Sequence, residues 1–184
     1  IFEIVTPASW DGFDSVVINP DKIDFIIFTS AHAVEMFILR CGELNVDINF
    51  EKINVVAVGN KTSAICKQFD IPVNIVPEKF SSEGVIEKLS KYNLKDKVIF
   101  IPRSAIGREE LPLGLKDLGA VIKSAPVYNV SLPTEEHIKS NLEKLNNSVP
   151  DLFIFTSPST FENFLQILNV VNPAEYFNKY DVAA

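Results

Sequence analysis

The chain has 184 residues, and 17 Lys and Arg stand against 24 Asp and Glu, which gives a net charge of −7. A nucleic-acid surface and an anionic membrane surface both attract basic proteins, so this balance argues against both kinds of partner. Hydrophobic residues make up 47% of the chain, which is enough for a packed core and excludes general disorder. A local cluster of cations could still bind an acidic small molecule.

The two cysteines and the apolar runs indicate an intracellular protein. Cys41 and Cys66 fall on predicted helices with no partner at metal-ligand spacing, which favours two buried thiols in a reducing compartment. No apolar run reaches the roughly 18 residues that cross a bilayer, and no signal-peptide pattern opens the chain. We therefore expect a cytoplasmic protein.

Strands and helices alternate along the first two thirds of the chain. Residues 25–28 are all apolar, as in a strand buried on both faces of a parallel sheet, and Thr29 and Ser30 follow directly. In chain order the pattern predicts a short strand at 1–5, a turn at 10–15, strands at 25–29, 54–58, 73–76 and 97–101, each followed by a helix, and an extended segment at 120–130. Such alternation predicts an α/β fold with a parallel sheet and helices on both of its faces.

The same pattern returns in the last third of the chain. Residues 152–155 form a second apolar run, preceded by Asp151 as the first run is preceded by Asp24, and followed by Thr156 and Ser157. Residues 181–184 match residues 54–57 at the same separation in the chain. The sequence therefore predicts two related α/β halves, of which the second stops before any counterpart of residues 59–62. Since the chain also begins without methionine, we expect it to be a fragment of a longer protein.

These observations predict a domain order. It consists of a connecting strand at 1–10, a complete flavodoxin-like α/β domain at 11–126, a return connecting strand at 127–133, and part of a second α/β domain at 134–184. Both connecting segments flank the first domain, so both are expected to cross between the domains.

Polar residues follow the predicted strands, at the edge where open α/β sheets bind their ligands. Backbone N–H groups at the start of the next helix can hold an anion, and glycine allows a tight turn there. The candidate binding residues are Thr29, Ser30, Gly59, Asn60, Lys61, Thr62, Ser82 and Arg103 in the first domain, and Thr156, Ser157 and Ser159 in the second. Helix capping alone would also place hydroxyl residues at such positions, so capping remains an alternative for each.

Several common kinds of site are not expected. The chain has neither a G-x-G-x-x-G motif nor a P-loop, which argues against dinucleotide and nucleoside triphosphate sites of those types. His32 and His137 lack accompanying ligands, so no metal site is predicted. No Ser/His/acid triad can be assembled from the pattern.

Tyr128 is the candidate for acid catalysis. It lies on the segment 125–130, which is expected to cross between the domains. It is either a buried interface residue or a residue whose hydroxyl points into the cleft. Phenols stay protonated at neutral pH, so a tyrosine in the cleft could donate a proton to a leaving hydroxide.

Taken together, these stretches resemble the uroporphyrinogen-III synthase family. The matching segments are 28–30, 58–64, 82–84, 102–103 with 108–111, 118–120, 127–128 and 155–159, in the family's order. The resemblance implies two α/β domains of the HemD-like kind, joined by two antiparallel connecting strands. It also implies a cofactor-free reaction, in which hydroxymethylbilane loses its hydroxyl and closes through a spiro intermediate to uroporphyrinogen III, with ring D inverted.

The resemblance also implies roles for individual residues. Tyr128 matches the tyrosine proposed to assist departure of the hydroxyl. The residues that match cleft positions are Thr29, Ser30, Lys61, Thr62, Arg103 and Ser157. The substrate carries eight carboxylates, which would explain a donor-rich cleft on an acidic protein.

Two functions remain open from the sequence. The first is this synthase, a lyase expected to act as a monomer on a small molecule. The alternative is a non-enzymatic two-domain α/β module that binds a small anionic ligand in the interdomain cleft. The repeat and the donor-rich cleft fit both, whereas Tyr128 and the order of the motifs favour the enzyme. A receiver-type signalling domain would need acidic residues at the strand ends, where Thr29, Ser30 and Gly59 stand.

Overall fold

Strands and helices alternate in the structure much as the pattern predicts. The computed structural model describes residues 2–148, 150–155, 157–178 and 180–183. The strands within these residues are β1 (Glu3–Val5), β2 (Phe25–Phe28), β3 (Asn54–Ala57), β4 (Val98–Ser104), β5 (Val121–Ser131), β6 (Leu152–Ile154) and β7 (Asp181–Ala183). The α-helices are α1 (Asp11–Val17), α2 (Ala31–Glu43), α3 (Asn60–Gln68), α4 (Ser82–Leu89), α5 (Glu110–Asp117), α6 (Glu135–Asn147), α7 (Pro158–Ile167) and α8 (Pro173–Tyr176).

The chain divides into two compact units. Val5–Asn129 forms the larger unit, and Ile1–Ile4 joins Val130–Ala184 in the smaller unit. Among the described residues, no helix is both long enough and apolar enough to cross a membrane. The predicted domain bounds and the antiparallel pairing of the connecting strands stay predictions.

The sheet of the larger unit confirms the predicted α/β class. Among the described residues of this unit, the strands lie in the order β5-β4-β2-β3, and the pairs β2–β3, β2–β4 and β4–β5 are parallel. The chain passes from β2 to β3 on one side of β2, and later returns to β4 on the other side. This reversal of strand order is the topological switch point, where open α/β sheets bind ligands at the carboxyl ends of their strands.

Strand β2 is buried on both faces, as its four apolar residues predict. Ile26 and Phe28 belong to a cluster with residues of α1, α2 and α3, whereas Phe25 and Ile27 belong to a cluster with residues of α4 and α5. These side chains are at most 4% exposed. Burying each one contributes about 1.5–3 kcal/mol relative to leaving it in water. The helices therefore cover both faces of the sheet.

One aspartate ties three strands together at their amino ends, through its carboxylate and its backbone. Asp24 precedes β2, and its side chain accepts hydrogen bonds from the backbone N–H of Val98 at 2.9 Å and from Lys97 Nζ at 2.7 Å. Its backbone N–H donates to the carbonyl of Val98, and its own carbonyl accepts from the N–H of Asn54. These contacts fix the relative positions of β2, β3 and β4 at the edge opposite the switch point.

Two local predictions were wrong. The predicted turn at 10–15 is helix α1, in which Phe13 and Val17 are fully buried and Asp14 accepts two hydrogen bonds from Arg40 at 3.0 and 2.6 Å. The predicted strand at 73–76 is reduced to a single parallel bridge between Ile75 and Val56. Tertiary contacts outweigh local propensity in both cases.

The smaller unit repeats the pairing of the larger one. Leu152 lies opposite Asp181 in the parallel pair β6–β7, and Phe25 lies opposite Asn54 in the pair β2–β3. The separation of Leu152 from Phe25 along the chain equals that of Asp181 from Asn54, so the repeat preserves strand register. The buried ring of Phe153 lies 5.4 Å from that of Phe164 on α7. The sequence repeat is thus a repeat of strand pairing and of the helix packed on it.

We expect both cysteines to be unreactive in the folded protein. Burial raises the pKa of the Cys41 thiol to about 12, with the charge of Asp14 adding to the effect, and burial raises the pKa of the Cys66 thiol to about 11. The thiolate is the reactive form, so Ellman's reagent at pH 8 should label neither residue rapidly in native buffer and both in denaturant. Labelling in native buffer at the rate of free glutathione would contradict this expectation.

Two helical glycines should respond oppositely to alanine. A Cβ on Gly84 in α4 would overlap the carbonyl oxygen of Lys79, which is backbone and cannot move aside freely. A Cβ on Gly42 in α2 would meet nothing within 4 Å. We therefore expect Gly84→Ala to lower the free energy of unfolding by about 1–3 kcal/mol. Gly42→Ala should raise it by up to about 1 kcal/mol, because alanine loses less backbone entropy on folding.

Urea unfolding of the two variants and the parent protein measures both effects. Gly42→Ala is the control for a change in helix propensity alone. Equal shifts of the same sign would show that the contact between Gly84 and Lys79 does not limit the packing there.

Candidate functional site

A pair of hydroxyl groups lies at the carboxyl edge of the larger unit's sheet. Ser30 is the N-cap of α2, and its Oγ accepts a hydrogen bond from the N–H of Ala33 at 3.1 Å. The same Oγ lies 3.1 Å from Tyr128 Oη, in a geometry where either oxygen can donate. The structure thus brings together two predicted site residues that stand 98 positions apart.

An irregularity in β5 turns Tyr128 toward Ser30. Arg103 lies opposite Pro126, but Ser104 lies opposite Tyr128, so β5 carries one extra residue, Val127, between these pairs. Such a bulge changes the direction of the side chains that follow it. As a result, Val127 and Tyr128 both contact the cluster that contains α2, although adjacent strand residues normally face opposite sides.

A histidine also contacts the tyrosine. The rings of His32 and Tyr128 meet edge to face, with their centroids 6.1 Å apart. His32 Nδ1 lies 3.0 Å from Glu35 Oε2, one turn further along α2. The sequence pattern offered no reason to place His32 beside Tyr128, because their contact depends on the pairing of β4 with β5.

A cavity of about 300 Å³ lies in the larger unit beside the ends of β2 and β3 and the starts of α4 and α5; we call it the α4–α5 cavity. Its lining includes the predicted residues Thr29 and Ser82. The other lining residues are Val58, Phe80, Ser81, Glu83, Val85, Arg108, Glu110 and Leu111. The lining of the α4–α5 cavity therefore combines one cation, two carboxylates, three hydroxyls and several apolar groups.

The carboxylate of Glu83 is ionised at neutral pH. A hydrogen bond from the Ser81 side chain lowers the pKa of the Glu83 carboxyl, and its own backbone N–H and the charge of Arg108 act in the same direction. Ser81 is also the N-cap of α4, since its Oγ accepts from the N–H of Gly84 at 3.3 Å. The start of α4 is thus held by Ser81, while Ser82 is left to line the cavity.

Arg103 is engaged within its own loop. Its Nη1 donates to the carbonyl of Arg108 at 2.8 Å, and its Nη2 donates to the carbonyl of Gly107 at 3.0 Å and to the carboxylate of Glu109. The side chain is only 14% exposed. Its predicted role in substrate binding stays a prediction, but the structure places its charge against backbone carbonyls.

The predicted cluster at 59–62 starts helix α3. Gly59 is its N-cap, with φ of +100°, a conformation that favours glycine. Asn60 and Lys61 are exposed in the first turn. Thr62 is only 4% exposed, and its hydroxyl donates to the carbonyl of Val58 at 3.2 Å. Of the three side chains at 60–62, two therefore point to solvent and one is used inside the fold.

Two predicted site residues of the smaller unit, Ser157 and Ser159, lie at the start of α7. Ser157 is the N-cap of α7, and its Oγ lies 3.1 Å from Ser159 Oγ and 2.7 Å from Thr160 Oγ1. Ser159 is exposed. Thr156 lies outside the described residues. Ser157 caps α7 as Ser30 caps α2. The two serines are as far apart along the chain as the other matching residues of the sequence repeat.

Sequence reasoning missed Arg108 as a site residue. Its signal is weak, because it stands directly before Glu109 and Glu110, and an acid-rich stretch at a helix start usually indicates capping. Across the part of the chain that the structure describes, no group of three or more His, Cys, Asp and Glu residues could hold a metal ion.

Known proteins resemble this chain in sequence and in fold. The family described as Uroporphyrinogen-III synthase HemD matches residues 1–184. A protein of Methanothermobacter thermautotrophicus, provisionally named a uroporphyrinogen-III synthase, is 32% identical over 161 residues, which cover 87% of this chain and 63% of the relative. The uroporphyrinogen-III synthase of Synechococcus elongatus is 25% identical over 166 residues, which cover 90% of this chain and 62% of the relative. The chain therefore spans less than two thirds of the length of these relatives.

A solved structure shows the same fold. The crystal structure of a mutant uroporphyrinogen III synthase from Thermus thermophilus aligns with a TM-score of 0.65 and 14% identity, over 100% of this chain and 80% of that one. At this identity the alignment is evidence for the fold alone. The match along the whole chain carries the assignment: this chain belongs to the uroporphyrinogen-III synthase family.

Proposed function

We propose that the protein is a uroporphyrinogen-III synthase, a cyclising lyase that converts hydroxymethylbilane to uroporphyrinogen III and water. The observation that carries the proposal is the family match over residues 1–184. The hydroxyl pair of Ser30 and Tyr128 at the switch-point edge supports it. Because the chain spans less than two thirds of its relatives, we assign the activity to the complete natural protein.

Tyr128 would act on the hydroxyl that leaves. The C–O bond of the hydroxymethyl group breaks, the hydroxyl takes a proton from Tyr128 and departs as water, and loss of the pyrrole N–H proton, which restores the phenol, leaves a neutral azafulvene. The Tyr128 hydroxyl, held by Ser30 at 3.1 Å, is a suitable donor because this contact fixes its direction. The azafulvene then closes through the spiro intermediate, and ring D is inverted.

The remaining contribution of the protein would be positional. Bringing the two ends of a flexible linear tetrapyrrole together converts an improbable encounter into an intramolecular one. The eight carboxylates of the substrate give the protein many points to hold. We assign this role to the larger unit's residues at the strand ends, namely Thr29, Ser30, Gly59, Asn60, Lys61 and Ser82. Thr62 and Arg103, which the sequence also predicts as contacts, would support them from inside the fold, because their side chains donate to backbone carbonyls. Ser157, Ser159 and Thr156 remain predicted contacts of the smaller unit.

Several finer assignments belong to the same proposal. We infer that the protein is a cytoplasmic monomer that needs no cofactor for this reaction. We also infer the division into connecting segments at 1–10 and 127–133 and domains at 11–126 and 134–184. The two compact units, which change over at residues 4–5 and 129–130, support that division.

A coupled assay tests the proposed activity. The complete natural protein is given freshly made hydroxymethylbilane, and the products are oxidised and separated as type I and type III uroporphyrin isomers. We expect type III to exceed the type I isomer that forms spontaneously. Type I alone, from protein shown to be folded by circular dichroism, would reject the synthase and leave the anion-binding module as the better account.

Tyr128→Phe tests the acid role separately. The variant keeps the aromatic packing and loses the hydroxyl beside Ser30, so we expect kcat to fall at least about tenfold, with little change in the midpoint of thermal unfolding. Tyr92→Phe is the matched control, because Tyr92 is an exposed tyrosine of the larger unit that packs edge to face on Phe25. An unchanged kcat for Tyr128→Phe would remove the acid role without affecting the family assignment.

A further inference from the structure

We propose that the α4–α5 cavity binds one carboxylate-bearing pyrrole ring of the linear tetrapyrrole, that Arg108 pairs with a carboxylate of that ring, and that Arg103 is a positioning residue for Arg108. The proposal rests on the proposed synthase function and names the part of the substrate that this cavity takes. Three observations support the proposal: the volume of the cavity, the chemistry of its lining residues, and the contacts of the two arginines.

The size of the cavity fits a single ring. Pockets for whole drug-sized ligands measure about 300–1,000 Å³, and this cavity of about 300 Å³ lies at the lower end of that range. A linear tetrapyrrole with eight carboxylates is much larger than such a ligand. The cavity can therefore hold one ring with its acidic side chains, and the rest of the substrate must lie outside it.

The lining matches the three chemical parts of such a ring. Val58, Val85 and Leu111 offer apolar surface for the ring face, and the half-exposed ring of Phe80 stands beside them. Arg108 offers a cation for a carboxylate side chain. Carboxylates in the lining can accept a hydrogen bond from the pyrrole N–H.

The same lining disfavours a simple anion. Glu83 and Glu110 place two carboxylates around the single cation Arg108. Free acetate or phosphate would meet net repulsion, whereas a pyrrole carboxylate gains ring packing and an N–H hydrogen bond as well. The cavity therefore selects for a ligand that is apolar, anionic and an N–H donor at once.

The two arginines differ in what they contact. Arg103 directs its guanidinium to the carbonyls of Gly107 and Arg108 and to Glu109. The loop packs closely on it, because a Cβ added to Gly107 would lie 3.0 Å from Arg103 Nε. In the described part of the chain, the guanidinium of Arg108 makes no hydrogen bond, although its charge acts on Glu83. Arg103 thus fixes the backbone from which Arg108 reaches the cavity.

Substitution of Arg108 tests the ion pair in the complete natural protein. We expect Arg108→Gln to raise KM for hydroxymethylbilane about tenfold with kcat nearly unchanged, since a charge-assisted contact to the bound ring is lost. Arg108→Lys should recover most of that loss. Lys116→Gln is the control, because it removes one exposed positive charge at the far end of the same helix α5. An Arg108→Gln variant with the parent KM would overturn the proposal.

Arg103 should respond differently to the same exchange. Arg103→Lys keeps the charge but cannot make the forked contacts to two carbonyls and a carboxylate, so we expect it to raise KM as much as Arg103→Gln. In the double variant Arg103→Lys with Arg108→Gln, KM should rise no further than in Arg108→Gln alone. Rescue by lysine at position 103, or additive effects, would show that Arg103 contacts substrate itself.

A binding experiment separates this proposal from the activity. Porphobilinogen, a monopyrrole with two carboxylates, is titrated into the labelled complete protein and followed by NMR shifts of Thr29 and Ser82. We expect shifts with porphobilinogen, none with free acetate, and their loss in Arg108→Gln. If type III isomer is formed but porphobilinogen causes no such shifts, the subsite is rejected and the synthase stands. If porphobilinogen binds but only type I isomer forms, the synthase is rejected and the cavity is left as a binding site for carboxylate-bearing pyrroles.

Discussion

The burial of β2 on both faces is the constraint from which the larger unit follows. Four consecutive apolar residues leave no side of the strand that can face water, so helices must cover both faces of the sheet. The alternation of side chains then assigns Ile26 and Phe28 to one helical layer and Phe25 and Ile27 to the other. A strand with one polar face would have allowed a sheet open on one side, without a crossover to the opposite layer.

This constraint also determines where chemistry can occur. Because helices cover both faces of the sheet, the sheet exposes its own backbone and polar groups at the ends of its strands. The switch in strand order opens space at the carboxyl edge. Ser30 illustrates how capping and function share one side chain: its Oγ accepts from the helix backbone and still contacts Tyr128. The choice between a capping and a binding role, which is open in the sequence, is therefore not exclusive.

The two arginines show a similar division between support and contact. Arg103 is nearly buried and bound to carbonyls, whereas Arg108 projects from the loop that Arg103 holds. The family resemblance identifies only Arg103 as a cleft position, and it does not distinguish a side chain that touches substrate from one that holds its neighbour in place. The distinction depends on hydrogen-bond geometry.

The sequence by itself determined the features that local pattern encodes: the apolar strands, the alternation with helices, and the internal repeat that reappears as strand register. Only the tertiary structure decided the rest. Helix α1 forms against local turn propensity because Phe13 and Val17 are buried and Asp14 pairs with Arg40. Tyr128 meets Ser30 because an extra residue in β5 changes its direction. These outcomes depend on contacts between residues far apart in the chain, and periodicity and spacing carry no information about such contacts.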